Sequence, residues 1–286
     1  MTLPNAMTVD VEDYYTVVAR DWLCIDRQPD ESVVPNTLHL LDLFKKHNVR
    51  CTCFVQGDVA EFFPDLVREI DRQGHEVGVH SYYHRQVFKV TPEEFRKETR
   101  RAKKRVESAL GKPVLGYRAP AFSIGPNTRW ALDILSELGF KYDSSIFPVK
   151  GSRYGWPGFP IGIHRMDLPN GRQIIEAPMS VMKVLSKAIP GCGGGYLRHL
   201  PYWFTRMTFR RVVRRQPAIA YLHPSEPDTK PGPEWFTTAM ANGSAAAQKF
   251  HSMQLRNRHT VDAKLEDLMR RYEFAPLASL IQAAGF

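Results

Sequence analysis

The sequence predicts an α/β fold built on a parallel sheet, and three observations carry that prediction. Strand-sized apolar runs alternate with segments of helical apolar period from Ala6 to Leu222, the pattern of strands joined by crossover helices. The composition, 43% hydrophobic and 11% aromatic over 286 residues, is that of a globular chain long enough for one large α/β barrel or open sheet. Most of the apolar runs also stop at a polar cluster, and strand C-terminal ends are where such folds gather functional side chains.

In chain order, Ala6 to Val11 is a first strand that breaks into Glu12-Asp13. Pro35 to His47 has the period of a helix (Leu38, Leu41, Phe44) and turns at Asn48. Cys51 to Gln56 is a second strand, and Glu61 to Gln73 a helix closed by Gly74. Glu76 to Val79 is a third strand that delivers His80. Thr91-Pro92-Glu93-Glu94 opens a helix as a capping box with proline in its first turn, and that helix ends at Gly111. Val114 to Arg118 is a strand, Asn127 to Leu138 a helix stopped by Gly139, and Tyr142-Asp143 a further strand end. A loop-rich stretch follows to Arg165, then a strand at Ile174 to Pro178. Gly191 to Gly195 reads as a flexible turn before a helix near Tyr202 to Arg215. Ala218 to Leu222 is the last strand and presents His223. Val261 to Tyr272 and Leu277 to Ala284 are helices of a changed pattern that begins near Thr229.

The net charge of +9 and pI near 9.4 fit a solvated basic surface, and no nucleic-acid motif accompanies them. The amphipathic basic stretch from Arg206 to Arg215 suits a surface helix or peripheral contact with an anionic membrane. The first residues lack the basic start and apolar core of a secretory leader, and no apolar run is long enough to span a bilayer. The cysteines (Cys24, Cys51, Cys53, Cys192) show no disulfide-framework spacing. Cys51 and Cys53, two apart in a strand, read as small buried hydrophobes. A cytoplasmic location is the default expectation.

The polar clusters supply the parts of a metal-assisted hydrolase. His80 and His84, placed one helical turn apart just past a strand, can face one cation. Zinc takes histidine nitrogen and carboxylate oxygen, and a catalytic site uses three protein ligands. Asp10 and Glu12 share one side of an extended strand and Asp13 follows at its break. These three carboxylates offer the third ligand and a general base, although a helix or turn cap is the ordinary use of such residues. Arg118 suits a brace for the base carboxylate, with a structural ion pair as its competitor. His223 suits a general acid.

The order of these motifs resembles the polysaccharide deacetylase (NodB-homology) family: Thr8-Val9-Asp10 with Glu12 and Asp13, His80-Ser81-Tyr82-Tyr83-His84, Arg118-Ala119-Pro120, Tyr142-Asp143 and Leu222-His223. The wording of several motifs further resembles the subgroup found with bacterial exopolysaccharide-export and exosortase gene clusters. The resemblance implies a distorted (β/α) barrel over residues 1–225 and a helical C-terminal extension, 226–286, packed on it. It implies a zinc-type divalent ion and removal of N-acetyl groups from hexosamines of a glycan or its precursor. Asp10 is then the base, Arg118 its brace, His80 and His84 ligands, and His223 the acid. The Ala121 N–H becomes the oxyanion donor. Two positions depart from the family pattern. The usual Asp-Asp pair is Asp10-Val11-Glu12-Asp13, so the third ligand is Asp13, slightly preferred on side-chain type, or Glu12. Ala121 replaces a common tyrosine. Ser81 is expected to hydrogen-bond within its loop. Tyr14, Tyr15, Tyr82, Tyr83, Phe122 and Trp156 are candidates for stacking on a sugar. Two other functions compete: a metal amidohydrolase for a small amide or ureide, and a catalytically silent glycan-binding scaffold.

Overall fold

The computed structural model describes residues 3–151, 154–185 and 187–286. Its strands are β1 (Asn5–Val11), β2 (Thr52–Val55), β3 (Glu76–Val79), β4 (Gly116–Tyr117), β5 (Tyr142–Asp143), β6 (His164–Asp167), β7 (Gln173–Glu176), β8 (Val181–Val184), β9 (Lys187–Pro190), β10 (Ile219–Leu222) and β11 (Phe274–Ala275). Its α-helices are α1 (Tyr14–Val18), α2 (Val33–Lys46), α3 (Gly57–Phe62), α4 (Pro64–Arg72), α5 (Pro92–Leu110), α6 (Trp130–Glu137), α7 (Gly194–His199), α8 (Tyr202–Val213), α9 (Glu234–Ala241), α10 (Ala245–Leu255), α11 (Val261–Arg271) and α12 (Leu277–Ala283).

The main sheet runs β10-β1-β2-β3-β4-β5-β7-β6, with β11 added at the start of β1. Every pairing is parallel except β6 with β7. The distorted barrel takes the form of a curled sheet with helices, open between β10 and β6. Strand β1 is buried along its whole length and paired to β2 from Thr8 to Val11 and to β10 from Ala6 to Val9. Alternation sorts its side chains. Met7, Val9 and Val11 join the larger core with α2 and α5, whereas Ala6 lies in the inner core with Phe54, Phe147, Tyr221 and Leu277. Thr8 and Asp10 share that inner face by their period of two.

Local chemistry explains where elements begin and stop. Thr91 and Glu94 form the expected capping box, and Gly111 closes α5 at φ 71°. The helix expected over Glu61 to Gln73 is two helices, because Pro64 removes an N–H and pushes Phe63 out of helical geometry to φ −127°, ψ 59°. The glycine run, expected as a flexible turn, is docked: Gly193 bridges to Tyr221. At its φ of 137° a Cβ would stand 2.1 Å from the Tyr221 carbonyl oxygen, so only glycine permits the contact.

The C-terminal residues pack at three places. Phe236, Met240 and Ala247 cover Tyr15 and Val18 of α1, α11 puts Val261, Leu265 and Leu268 into the larger core, and β11 with α12 closes the foot of β1.

Candidate active site

The break after β1 sets the first side chains. Val11 ends the strand, the Glu12 amide turns back to the Asp10 carbonyl at 3.1 Å, and α1 starts at once. Asp13 is the N-cap of that helix, its carboxylate accepting from the Tyr15 and Thr16 amides and, from across the loop, the Asp30 amide at 2.9 Å. Burial outweighs those bonds and raises its carboxyl to about 6. The preference for Asp13 as third ligand is therefore corrected, since the cap engages both of its oxygens. Glu12 faces the histidines instead, with Oε2 2.9 Å from His84 Nε2 and 3.3 Å from His80 Nε2.

The two histidines do not ride one helical turn. They bracket a tight loop in which Ser81 and His84 both take left-handed backbone, at φ 52° and 60°, and the Ser81 hydroxyl accepts from the His84 amide at 3.0 Å. His80 Nδ1 lies 2.9 Å from the Arg118 carbonyl. A carbonyl only accepts, so Nδ1 carries the proton and Nε2 presents a lone pair, the usual orientation of a ligating histidine.

Glu12, His80 and His84 are the cluster of metal-binding geometry among the described residues. Their spacing tests that use. Ligands on zinc at about 2.0–2.1 Å in tetrahedral array stand roughly 3.3 Å apart, close to the 2.9 and 3.3 Å found here. Glu12 Oε2 is also buried without a hydrogen bond, an arrangement a shared cation resolves and water does not reach. The residues fit a divalent ion. Burial alone would raise the Glu12 carboxyl, but His84, His80 and His223 together hold it well below the usual range. For the His84 imidazole, burial favours the neutral ring, yet Glu12 wins and raises it.

Beside this cluster Arg118, fully buried, donates through Nη1 to Asp10 Oδ1 at 2.9 Å and to the Thr8 hydroxyl at 2.6 Å. Its Nε and Nη2 go to the Ser144 carbonyl and hydroxyl, and its plane lies 4.4 Å from the Phe54 ring. One guanidinium is thus locked on all sides and aims at a single oxygen of Asp10. The other oxygen faces His223 Nε2 at 4.0 Å.

His223 extends from β10 with its side chain 28% exposed. Burial lowers its affinity for a proton, but Glu226, Glu12 and Asp10 overcome that and raise its pKa to about 9. Glu226 was not among the expected site residues. Its Oε1 stands 3.3 Å from His223 Nδ1, and the three-residue spacing within His223-Pro224-Ser225-Glu226 is the sequence signal that would have found it.

Ala121 lines the cavity next to these groups, and its amide makes no hydrogen bond among the described residues. Ala121 and Phe122 are both left-handed, at φ 50°, a conformation that costs about 1–3 kcal/mol per non-glycine residue and gathers at functional sites. Asp143 lies outside the cavity lining. It bonds the amide and hydroxyl of Ser145, whose Oγ accepts from the Ala119 amide at 2.7 Å, so its work is to hold the Arg118-Ala119-Pro120 turn.

The cavity is about 220 Å³. Of the expected stacking aromatics it takes Tyr14 and Phe122, joined by Trp22, Tyr154, Tyr221 and Phe250. Tyr15 and Tyr82 are core, Tyr83 packs edge-on against Tyr82, and Trp156 packs on Phe159.

Residues 20–142 match the polysaccharide deacetylase model, and residues 144–282 match a domain of unknown function, DUF3473. A peptidoglycan-N-acetylglucosamine deacetylase of Bacillus cereus is 29% identical over 154 residues, which are 50% of this chain and 54% of that protein. The chain thus spans about half the length of this relative. Two solved structures share the fold. A polysaccharide deacetylase described as probable from Pseudomonas aeruginosa has a TM-score of 0.60 at 16% identity, covering 97% of this chain and 89% of that one. A second, from Mycobacterium smegmatis, has a TM-score of 0.56 at 19% identity, covering 96% and 93%. The histidine pair and Arg118 fall in the first matched span and His223 in the second, with Asp10 and Glu12 just ahead of both. The chain thus carries a polysaccharide deacetylase domain that runs directly into a DUF3473 domain.

Proposed function

We propose that the protein is a metal-dependent carbohydrate N-deacetylase that hydrolyses the N-acetyl group of a hexosamine in a bacterial glycan or glycan precursor. The observation that carries this reading is the convergence of Asp10, Glu12, His84 and His223 on one cavity, with His80 and Arg118 directly behind them. Glu12, His80 and His84 would hold the ion, zinc by donor type, which when bound supplies Lewis-acid polarisation of the acetyl carbonyl. Asp10, fixed by Arg118, takes a proton from the attacking water. The free Ala121 amide donates to the carbonyl oxygen as charge develops there. His223, protonated and steadied by Glu226, gives its proton to the amine as the C–N bond breaks, leaving acetate and a free amino sugar. Tyr14, Phe122 and Trp22 offer faces for the sugar ring.

The cavity favours a second reading as well. At about 220 Å³, with Tyr154 and Phe250 in its wall, it is below the ~300–1,000 Å³ usual for ligand sites and suits a small amide or a terminal sugar better than the middle of a polymer.

For location, the reading extends to the inner face of a membrane. Supporting it, α8 exposes Arg206, Arg210 and Arg211 beside Trp203, 66% exposed, and the β8–β9 tip exposes Leu185 at 97%.

Metal analysis with an acetate-release assay tests the function. Expected are one equivalent of zinc and acetate from N-acetylglucosamine oligomers, abolished in Asp10→Asn. A protein that binds no metal after reconstitution overturns it, while bound metal with turnover of simple amides alone selects the second reading.

A further inference from the structure

The C-terminal wall of the cavity carries two arginines that the proposed hydrolysis does not use. Arg198, from α7, and Arg258, just after α10, are 3% and 4% exposed, yet both line the cavity shared by Asp10, Glu12 and His223. They converge on one residue. Arg198 donates through Nη1 to the Gln254 carbonyl at 2.5 Å and through Nη2 to its side-chain oxygen at 2.6 Å. Arg258 donates through Nε to the same carbonyl at 3.0 Å and through Nη1 to the Asp228 carbonyl at 3.1 Å.

Those bonds fasten the end of α10, which a structural role would explain. They do not explain the charge. Arg258 has no ion-pair partner among the described residues, and its guanidinium lies 4.9 Å from the Tyr14 ring. Arg198 has only Glu226, 3.7 Å from its Nε. That Nε is buried with no hydrogen bond, and Glu226 is already engaged with His223. A buried cation is costly unless an anion meets it. Here one buried cation has a single, already engaged carboxylate and the other has no carboxylate within ion-pair distance among the described residues, both lining the same cavity.

We infer that Arg198 and Arg258 form an anion subsite, and that the substrate carries a carboxylate or phosphate on or next to its N-acetylated sugar. This deepens the deacetylase reading and rests on it. A guanidinium fork suits either anion, so the source is a uronic acid neighbour or a sugar phosphate.

The test compares three probes of similar size: N,N′-diacetylchitobiose, a disaccharide of N-acetylglucosamine and glucuronic acid, and N-acetylglucosamine 1-phosphate. Acetate release gives kcat/KM for each with the zinc-loaded wild type, Arg258→Gln, Arg258→Lys and Arg198→Gln. At least one anionic probe is expected to exceed the neutral one by 10-fold or more. That ratio should fall at least 10-fold in both glutamine variants and survive in part in Arg258→Lys. Because the ratio is taken within one sample, a loss of folded protein cancels. The better anionic probe identifies carboxylate or phosphate as the source. A wild-type ratio near one, or a ratio unchanged in Arg258→Gln, overturns the subsite.

Calorimetry with Asp10→Asn separates the two readings. If no probe releases acetate, the deacetylase reading fails. Tighter binding of an anionic probe that is lost on adding Arg258→Gln would still uphold the subsite, and absence of that difference would remove it.

Discussion

Glu226 Oε1 stands 3.3 Å from His223 Nδ1, on the side of the imidazole opposite the nitrogen that faces Asp10 at 4.0 Å. The carboxylate therefore sets which ring nitrogen meets the substrate. In Glu226→Gln the ring keeps a hydrogen-bond partner but loses its counter-charge. We expect kcat to fall about 10–100-fold, the range for removing a supporting partner of a site histidine, with metal content unchanged. Glu226→Asp should recover part of the loss. Steady-state kinetics with metal analysis on the same preparations decides it, and a Glu226→Gln enzyme with wild-type kcat would remove the residue from the site.

Glu12 and Asp13 are adjacent in sequence and divergent in use. Glu12→Gln should lose metal while remaining folded, because among the described residues its carboxylate faces only the site histidines His80, His84 and His223. Asp13→Asn should keep metal and lose about 1 kcal/mol of stability with its helix cap. Metal content and urea denaturation of the two variants give opposite patterns if the assignment is right. Metal loss in Asp13→Asn alone would reverse it.

Arg118 is expected to matter twice. Arg118→Leu strands the Asp10 carboxylate without its buried cation, and breaking such a pair from one side costs about 3–5 kcal/mol. Asp10→Asn retains an acceptor for Nη1 and should cost less. A denaturation series in which Arg118→Leu is no less stable than Asp10→Asn would mean that the pair contributes little to the native state.

The buried carboxyls of Asp143 and Glu176 act on each other's ionisation. Burial raises Asp143 from 3.8 to about 6, and burial with the Asp143 charge drives Glu176 well above 4.5. Both native-state values lie above the unfolded ones, so the folded protein binds protons more tightly. The stability this contributes is complete below about pH 4 and is lost as pH rises through the folded values. Glu176→Gln keeps the amide bond partner for Ile146 and removes one ionisation. Its stability should decline less than wild type between about pH 4 and 7, as followed by thermal melts. Parallel curves for the two proteins would contradict that mutual effect.

The legible parts of this fold are those written in short-range chemistry. Thr91 and Glu94 announce α5 because both halves of the cap lie three residues apart, and Gly111 and Gly139 mark stops because the left-handed residue is glycine. The site was legible to the same extent: Asp10, His80, His84, Arg118 and His223 meet at one edge because parallel strands deliver their C-terminal ends together. What stayed hidden depends on distant partners. The cap role of Asp13 needs α1, a helix of five residues with no apolar period of its own. The cavity wall made by α10 was equally invisible, since that helix buries only Ala247 and is held by distant partners, Arg198 and Arg258 at its end and Tyr14, Trp22 and Phe236 along its face. Glu226 was within reach of the sequence, but its partner His223 was read alone.

The strand order around β1 has a bearing on how the chain is made. Asp10, Glu12, His80, His84 and Arg118 all belong to the first 118 residues, whereas β10 and its histidine come about a hundred residues later. During synthesis the ligand half of the site can assemble while the acid half has yet to emerge. Until β10 arrives, β1 presents an unpaired parallel edge at one side of the future sheet, and such edges recruit strands from other chains. A ribosome stalled before Leu222 would therefore release an aggregation-prone intermediate, and quality control has reason to recognise this protein by its uncovered edge.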